Sequence, residues 1–236
     1  MRLLGLMQKR VLYMYGIVLL AHCLFQYLKL PYVAVTKPLL VPLLLAFLLS
    51  RDEDIGLVAG KFIFYVGMFL ALFGDVLLIS INDTFFMSGM IAFMLMNLAY
   101  AVTFYLLEKP PLFGNLPVLI SALVLALVAW KVYGFLSEEL AQYRLTVLVY
   151  VCTVLLMCFS AIAAATGSVH GRVALRYFVS GAVVFLFENI LVGLNRFHWN
   201  SNKDVYVVIM LSYGLAQYLF VRGVEKTYLS LPGKRI

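Results

Sequence analysis

Over 236 residues the chain is 64% hydrophobic, only 12% charged and has a mean hydropathy of +1.01, so it carries more apolar surface than one soluble core can bury. Soluble domains have roughly a quarter of their residues charged, which excludes an ordinary water-soluble enzyme and leaves lipid to take the excess. The net charge of +7 does not point to nucleic acid either, because the basic residues sit singly or in pairs at the edges of apolar runs and form no dense stripe.

About twenty apolar residues span the hydrocarbon, and eight segments qualify: 11–29, 33–50, 60–80, 84–107, 114–134, 142–166, 173–195 and 204–224. Arg2, Lys9 and Arg10 ahead of the first imitate a secretory signal, yet the run continues for a full span without a small-residue cleavage site and reads as a retained helix. The second segment is the shortest, and Pro31, Pro38 and Pro42 predict a kinked or late-starting helix there. The third carries Asp75, the fourth Asn97 and Tyr100, the seventh Glu188, Asn189 and Asn195 with Arg196 directly after it, and the eighth Tyr213 and Gln217. Connections are short and polar, as in Arg51-Asp52-Glu53-Asp54, Lys109-Pro110-Pro111 and Asn200-Ser201-Asn202, and leave no room for a separate soluble domain. The expectation is an all-α integral membrane bundle of eight helices, with residues 1–236 forming a single transmembrane domain.

Orientation follows from Lys and Arg. The N-terminus, the even-numbered loops and the C-terminus carry twelve, the opposite loops five, and Lys37 is the eighteenth, so both termini belong in the cytoplasm. The third span reads Phe73-Gly74-Asp75-Val76-Leu77-Leu78 and the seventh Phe187-Glu188-Asn189-Ile190-Leu191-Val192. That is either a parallel 4+4 duplication, with a pseudo-twofold axis along the membrane normal, or the chance likeness of two apolar helices.

An intramembrane charge costs at least ~2.5 kcal/mol on insertion scales, so Lys37, Asp75 and Glu188 call for a polar cavity or a partner. Asp75 and Asn189 each lie about fifteen residues from the cytoplasmic end of their helices, roughly 22 Å deep and in the outer half of the bilayer. Lys37 enters from outside and reaches the same level, which predicts a Lys37–Asp75 contact. That contact is either a structural ion pair between two helices or part of a polar cavity whose carboxylate handles protons. Glu188 and Asn189 diverge by about 100° on one helix, so one is expected to line the cavity while the other faces a helix contact. Asn97 with Tyr100, and Tyr213 with Gln217, are spaced to share a face on their own helices: singly interhelical hydrogen-bond glue, together with the charges a polar chamber. Arg196, beside Asn195 at the outer end of the seventh span, either grips a lipid phosphate or anchors the helix at the interface.

His22, His170 and His198 have no metal-ligand spacing, and no zinc-protease, nucleophile-elbow or phosphate-loop motif occurs, so metal, serine-hydrolase and nucleotide chemistry are not expected. Cys23, Cys152 and Cys158 fall inside apolar segments and read as packing thiols.

Thr36-Lys37-Pro38-Leu39, Leu72-Phe73-Gly74-Asp75-Val76-Leu77-Leu78, Gly89 and Phe93 to Tyr100, Gly181-Ala182 to Asn195-Arg196-Phe197, and Tyr213 to Gln217 stand in the order and spacing of a known family. In these motifs, across nearly its whole length, the chain resembles the YhhN-like membrane proteins, whose characterised members are lysoplasmalogenases. The resemblance implies cleavage of the vinyl ether bond of a lysoplasmalogen to a fatty aldehyde and a glycerophospho-headgroup, without cofactor. It makes Asp75 the acid/base carboxylate and Lys37, Tyr213 and Gln217 cavity residues. Two positions depart from the family pattern: Glu188-Asn189 stands where Ser-Asp is usual, and Asn97 where His is usual. Either Glu188 or Asn189 takes over the missing role, or the activity is lost or changed. Three readings therefore compete: an ether lysolipid hydrolase, a lipid or small apolar ligand binder of the same fold, and a proton-coupled transporter. The expected partner is a membrane lipid or lysolipid, and the short loops without sorting tails point to a bacterial inner membrane.

Overall fold

The computed structural model describes residues 2–51, 58–80, 82–108, 115–199 and 201–229, with side chains from Gln8 onward. The loop residues Asp52, Glu53, Asp54, Lys109, Pro110, Pro111 and Asn200, and the side chain of Arg2, lie outside the described set. The described residues are all-α: α1 (Arg2–Tyr27), α2 (Val33–Leu49), α3 (Ala59–Leu77), α4 (Asp83–Glu108), α5 (Leu116–Leu136), α6 (Arg144–Ala165), α7 (Gly171–His198) and α8 (Lys203–Tyr228). Seven are long and apolar enough to cross a membrane, and α2, at 17 residues, is the short one. Rather than starting late, α2 begins at Val33 and runs through both Pro38 and Pro42. Thr36 turns its hydroxyl back onto the Tyr32 carbonyl at 3.0 Å in the first turn, an extra acceptor contact near the helix start.

Contacts between helix ends fix the alternation of the bundle. Where α1 begins and α8 ends, Gln8 donates to the Ser50 carbonyl at 2.9 Å and Glu225 holds Arg51 at 3.2 Å and Arg222 at 2.6 Å. Glu108 and His170 meet at this terminal face too, joining the end of α4 to the start of α7. At the opposite face Arg196 lies 3.5 Å from Asp83, and His198 is 2.8 Å from Glu139. Helices joined by short turns therefore run up and down through one bundle.

Near the terminal face the interior is a dry aromatic stack. Phe64 lies on Tyr100 with centroids 4.7 Å apart, Phe104 on Phe178 at 4.4 Å, and Phe220 packs edge-on against Tyr100 at 5.4 Å. Such packing leaves no room for a ligand, so free volume falls in the other half of the bundle. The most enclosed helix is α4, with 61% of its apolar window buried, whereas α5 has 6% and rests mainly on α6 and the end of α7. An apolar helix so bare is at home only against lipid.

In α7 the turns Ala174–Val179 and Leu194–His198 are wound as π-helix, which the uniform hydropathy of that span did not announce. Each inserts an extra residue per turn and so resets the angular phase of the helix, and Phe178, Ala182, Phe185 and Glu188 all reach the interior.

Candidate functional site

On α3 the buried positions are Gly60, Lys61, Phe64, Gly67, Met68, Ala71, Gly74 and Asp75, a stripe of helical period that carries the Asp75 carboxyl group inward. Glycine at 74 brings the helices together there: a Cβ would stand 2.7 Å from the Phe93 ring of α4. Asp75 is 1% exposed overall and opens onto a cavity of about 460 Å³ in the half of the bundle away from the termini.

Its two oxygens are used differently. Tyr213 of α8 donates its hydroxyl to Oδ2 at 2.8 Å, and Nζ of Lys37 stands 3.8 Å from Oδ1. The Lys37–Asp75 contact expected from depth is thus present. Across the cavity, Glu188 Oε2 accepts from Asn189 Nδ2 at 3.0 Å. The same amide donates to the Phe185 carbonyl at 2.7 Å, and Asn189 Oδ1 accepts from the Tyr150 hydroxyl of α6 at 2.6 Å. Glu188 and Asn189 both line the cavity, contrary to the expectation that the 100° between them would send one away. The Asn189 amide reaches the neighbouring Glu188 carboxylate, and both side chains border the same space.

Three cations share the wall with the two carboxyl groups: Lys37 inside, and Arg196 and Lys203 towards the outer face. Arg196 is held by Asp83 and lies over the Phe86 ring, 4.7 Å from its centroid. Carboxyl, ammonium, guanidinium and hydroxyl groups thus converge on one space large enough for a small organic group.

The remaining candidates lie elsewhere. Tyr100 donates to Gln217 Oε1 at 2.9 Å, Gln217 Nε2 approaches Met96 Sδ at 3.6 Å, and Asn97 Nδ2 reaches Thr153 Oγ1 at 3.4 Å, all buried and none on the cavity wall. They tie α4 to α8 and to α6 beneath the site. Asn195 is 1% exposed, stands outside the wall, and its amide finds no hydrogen-bond partner among the described residues.

Sequence reasoning passed over Tyr150 and His22. Tyr150 sits in an apolar stretch with nothing to mark it. His22 did carry a signal: an imidazole within a span is costly and therefore informative, and here Nδ1 meets the Thr36 hydroxyl at 2.8 Å on the cavity wall.

The model of the YhhN family matches residues 32–224, from the threshold of α2 to the last turns of α8. The chain belongs to the YhhN family. The matched range contains Lys37, Asp75, Tyr150, Glu188, Asn189 and Tyr213, and leaves out only the α1 part of the wall, His22 and Gln26. No curated protein and no solved structure matched the chain.

Proposed function

We propose that this YhhN protein is a membrane hydrolase of lysoplasmalogen or a related vinyl ether lysolipid, working by carboxyl acid/base chemistry in the cavity of α2, α3, α7 and α8. The observation that carries the reading is the presence of two buried carboxyl groups, Asp75 and Glu188, on one cavity within the membrane-spanning bundle. Burying two such groups in a membrane bundle costs several kcal/mol of insertion energy, a cost that structural glue does not require.

A vinyl ether is cleaved by moving one proton onto its β-carbon. That leaves an oxocarbenium ion, which water attacks to give a hemiacetal. Collapse of the hemiacetal breaks the C–O bond, releases the aldehyde and returns a proton to the glycerol oxygen, so one water is consumed and no electrons are transferred. Glu188, whose partner is a neutral amide, is the proton donor. Asp75, held by Lys37 and Tyr213, takes the proton from the attacking water and faces the developing cation. Asn189 and Tyr150 fix the Glu188 side chain through their shared hydrogen bonds.

The Lys and Arg count supports cytoplasmic termini, which would open the cavity towards the outer leaflet of a bacterial inner membrane. Asp75 of α3 and Asn189 of α7, which hold matching positions in the two sequence motifs, both border the cavity, and this supports a parallel four-plus-four origin. Purified protein given a lysoplasmalogen should release fatty aldehyde, and an Asp75→Asn protein should not; no aldehyde from either refutes hydrolysis. A lipid-binding role without hydrolysis is the second reading. It is favoured by Asn189, whose amide is fully occupied by Tyr150, Glu188 and the Phe185 carbonyl where the family pattern has an acid.

A further inference from the structure

Beside the polar cavity lies a second space, about 120 Å³, walled by α4, α5, α6 and α7. Its lining is almost wholly aliphatic and aromatic, including Met90, Ala129, Val132, Val151, Leu155 and Leu186. The two spaces share a wall: Leu78, Phe86, Phe93, Tyr150, Asn189, Val192 and Arg196 border both. We infer that this apolar space is a seat for the hydrocarbon chain of a single-chain amphiphile, entered sideways from the bilayer past α5, with the head of the molecule in the polar cavity.

Four observations support the occupant. The polar groups at the apolar seat that are shared with the polar cavity, Tyr150, Asn189 and Arg196, stand on the common border, so an amphiphile lying across it meets polarity where its own polarity changes. The space is small: about 120 Å³ admits the first carbons of one chain and not its full length. A long chain exceeds that space, so its remainder must leave, and the covering helix is the least embedded of the bundle. α5 buries only Val118 and Leu136, one near each of its ends, while Ile120, Leu123, Val124 and Leu127 between them are exposed, where the protruding methylenes would lie among lipid tails. Finally, a chain seated here has its head-proximal carbons at the Glu188–Asn189–Tyr150 group, where the bond to be protonated must stand.

The inference rests on the reading of the polar cavity as a lipid site and adds to it the place of the hydrocarbon chain and a route of entry.

The test uses a saturated alkyl-ether lysophospholipid with a diazirine near the ether end of its chain, photolysed with the purified full-length protein in detergent micelles and mapped by mass spectrometry. Adducts should concentrate between Val128 and Leu136 and between Val147 and Leu155. Ala129→Trp, which fills the seat, should lower them at least about fivefold, and an excess of unlabelled lysolipid should compete. Adducts centred instead on His22 or Val33 of α1 and α2 overturn the inference even if the Ala129→Trp protein does not fold. Because the probe has no vinyl ether, the map is independent of turnover. Adducts in this seat without aldehyde from lysoplasmalogen would defeat the hydrolase reading alone, and aldehyde with adducts elsewhere would defeat this one alone.

Discussion

Asp75→Asn removes one charge and almost no volume, so its effect separates chemistry from architecture. Tyr213 keeps an acceptor at 2.8 Å, because the amide oxygen can stand where Oδ2 was. Lys37, by contrast, loses a counter-ion at 3.8 Å. At an effective dielectric of about 20 that attraction is about 4 kcal/mol, and hydration of the ammonium in a wet cavity reduces the net stability loss to about 1–3 kcal/mol. Removal of a positioned acid/base group typically lowers turnover by about 10²–10⁴, equivalent to about 3–5 kcal/mol of barrier. The chemical loss therefore exceeds the structural one: the variant should purify folded, with a modestly lower Tm, while its kcat for aldehyde release falls at least about a hundredfold. Aldehyde production can be followed through a coupled aldehyde dehydrogenase, with Tm measured on the same preparation. A folded Asp75→Asn protein turning over within about threefold of wild type would refute the assignment of this carboxylate to the reaction.

Glu188→Gln should lower kcat by a similar about 10²–10⁴ and change KM little, since it removes a proton donor but keeps an acceptor for the Asn189 amide; a KM effect alone would reassign Glu188 to binding. Lys37→Met leaves the Asp75 carboxylate without its cation and should destabilise the protein by about 1–3 kcal/mol, while the Lys37→Met/Asp75→Asn double variant should recover most of that; additive losses in thermal unfolding would show that the pair is not coupled. Gly74→Val puts methyl groups into the Phe93 ring, already 2.7 Å from a modest Cβ, and should cost about 1–3 kcal/mol of Tm-derived stability by forcing α3 off α4; an unchanged Tm would mean that the contact is slack. Ser201→Cys, at the turn between α7 and α8, should react with a membrane-impermeant maleimide in intact cells; reaction only after lysis would reverse the proposed orientation.

What could be read from the one-dimensional chain was whatever membrane energetics forces. Hydrocarbon leaves backbone groups no partner outside a helix, so apolar runs separated by charged turns can only be a helical bundle, and the observed helices track those runs closely. Charges stranded within spans announce themselves by their cost, which singled out Lys37, Asp75 and Glu188. Their depth, from rise per residue, was enough to pair Lys37 with Asp75. Rotation was a different matter. In a soluble protein the polar face of each helix reveals its angular phase, but here α5 and α6 are almost wholly apolar around their circumference, and lipid and core are equally oily. Only the tertiary structure therefore decided that Tyr150 meets Asn189, that Glu188 and Asn189 share one wall, that Tyr100 and Gln217 tie helices together below the cavity instead of lining it, and that two widened turns set the phase of α7. Those facts depend on neighbours far apart along the chain, which no periodicity within a single span encodes.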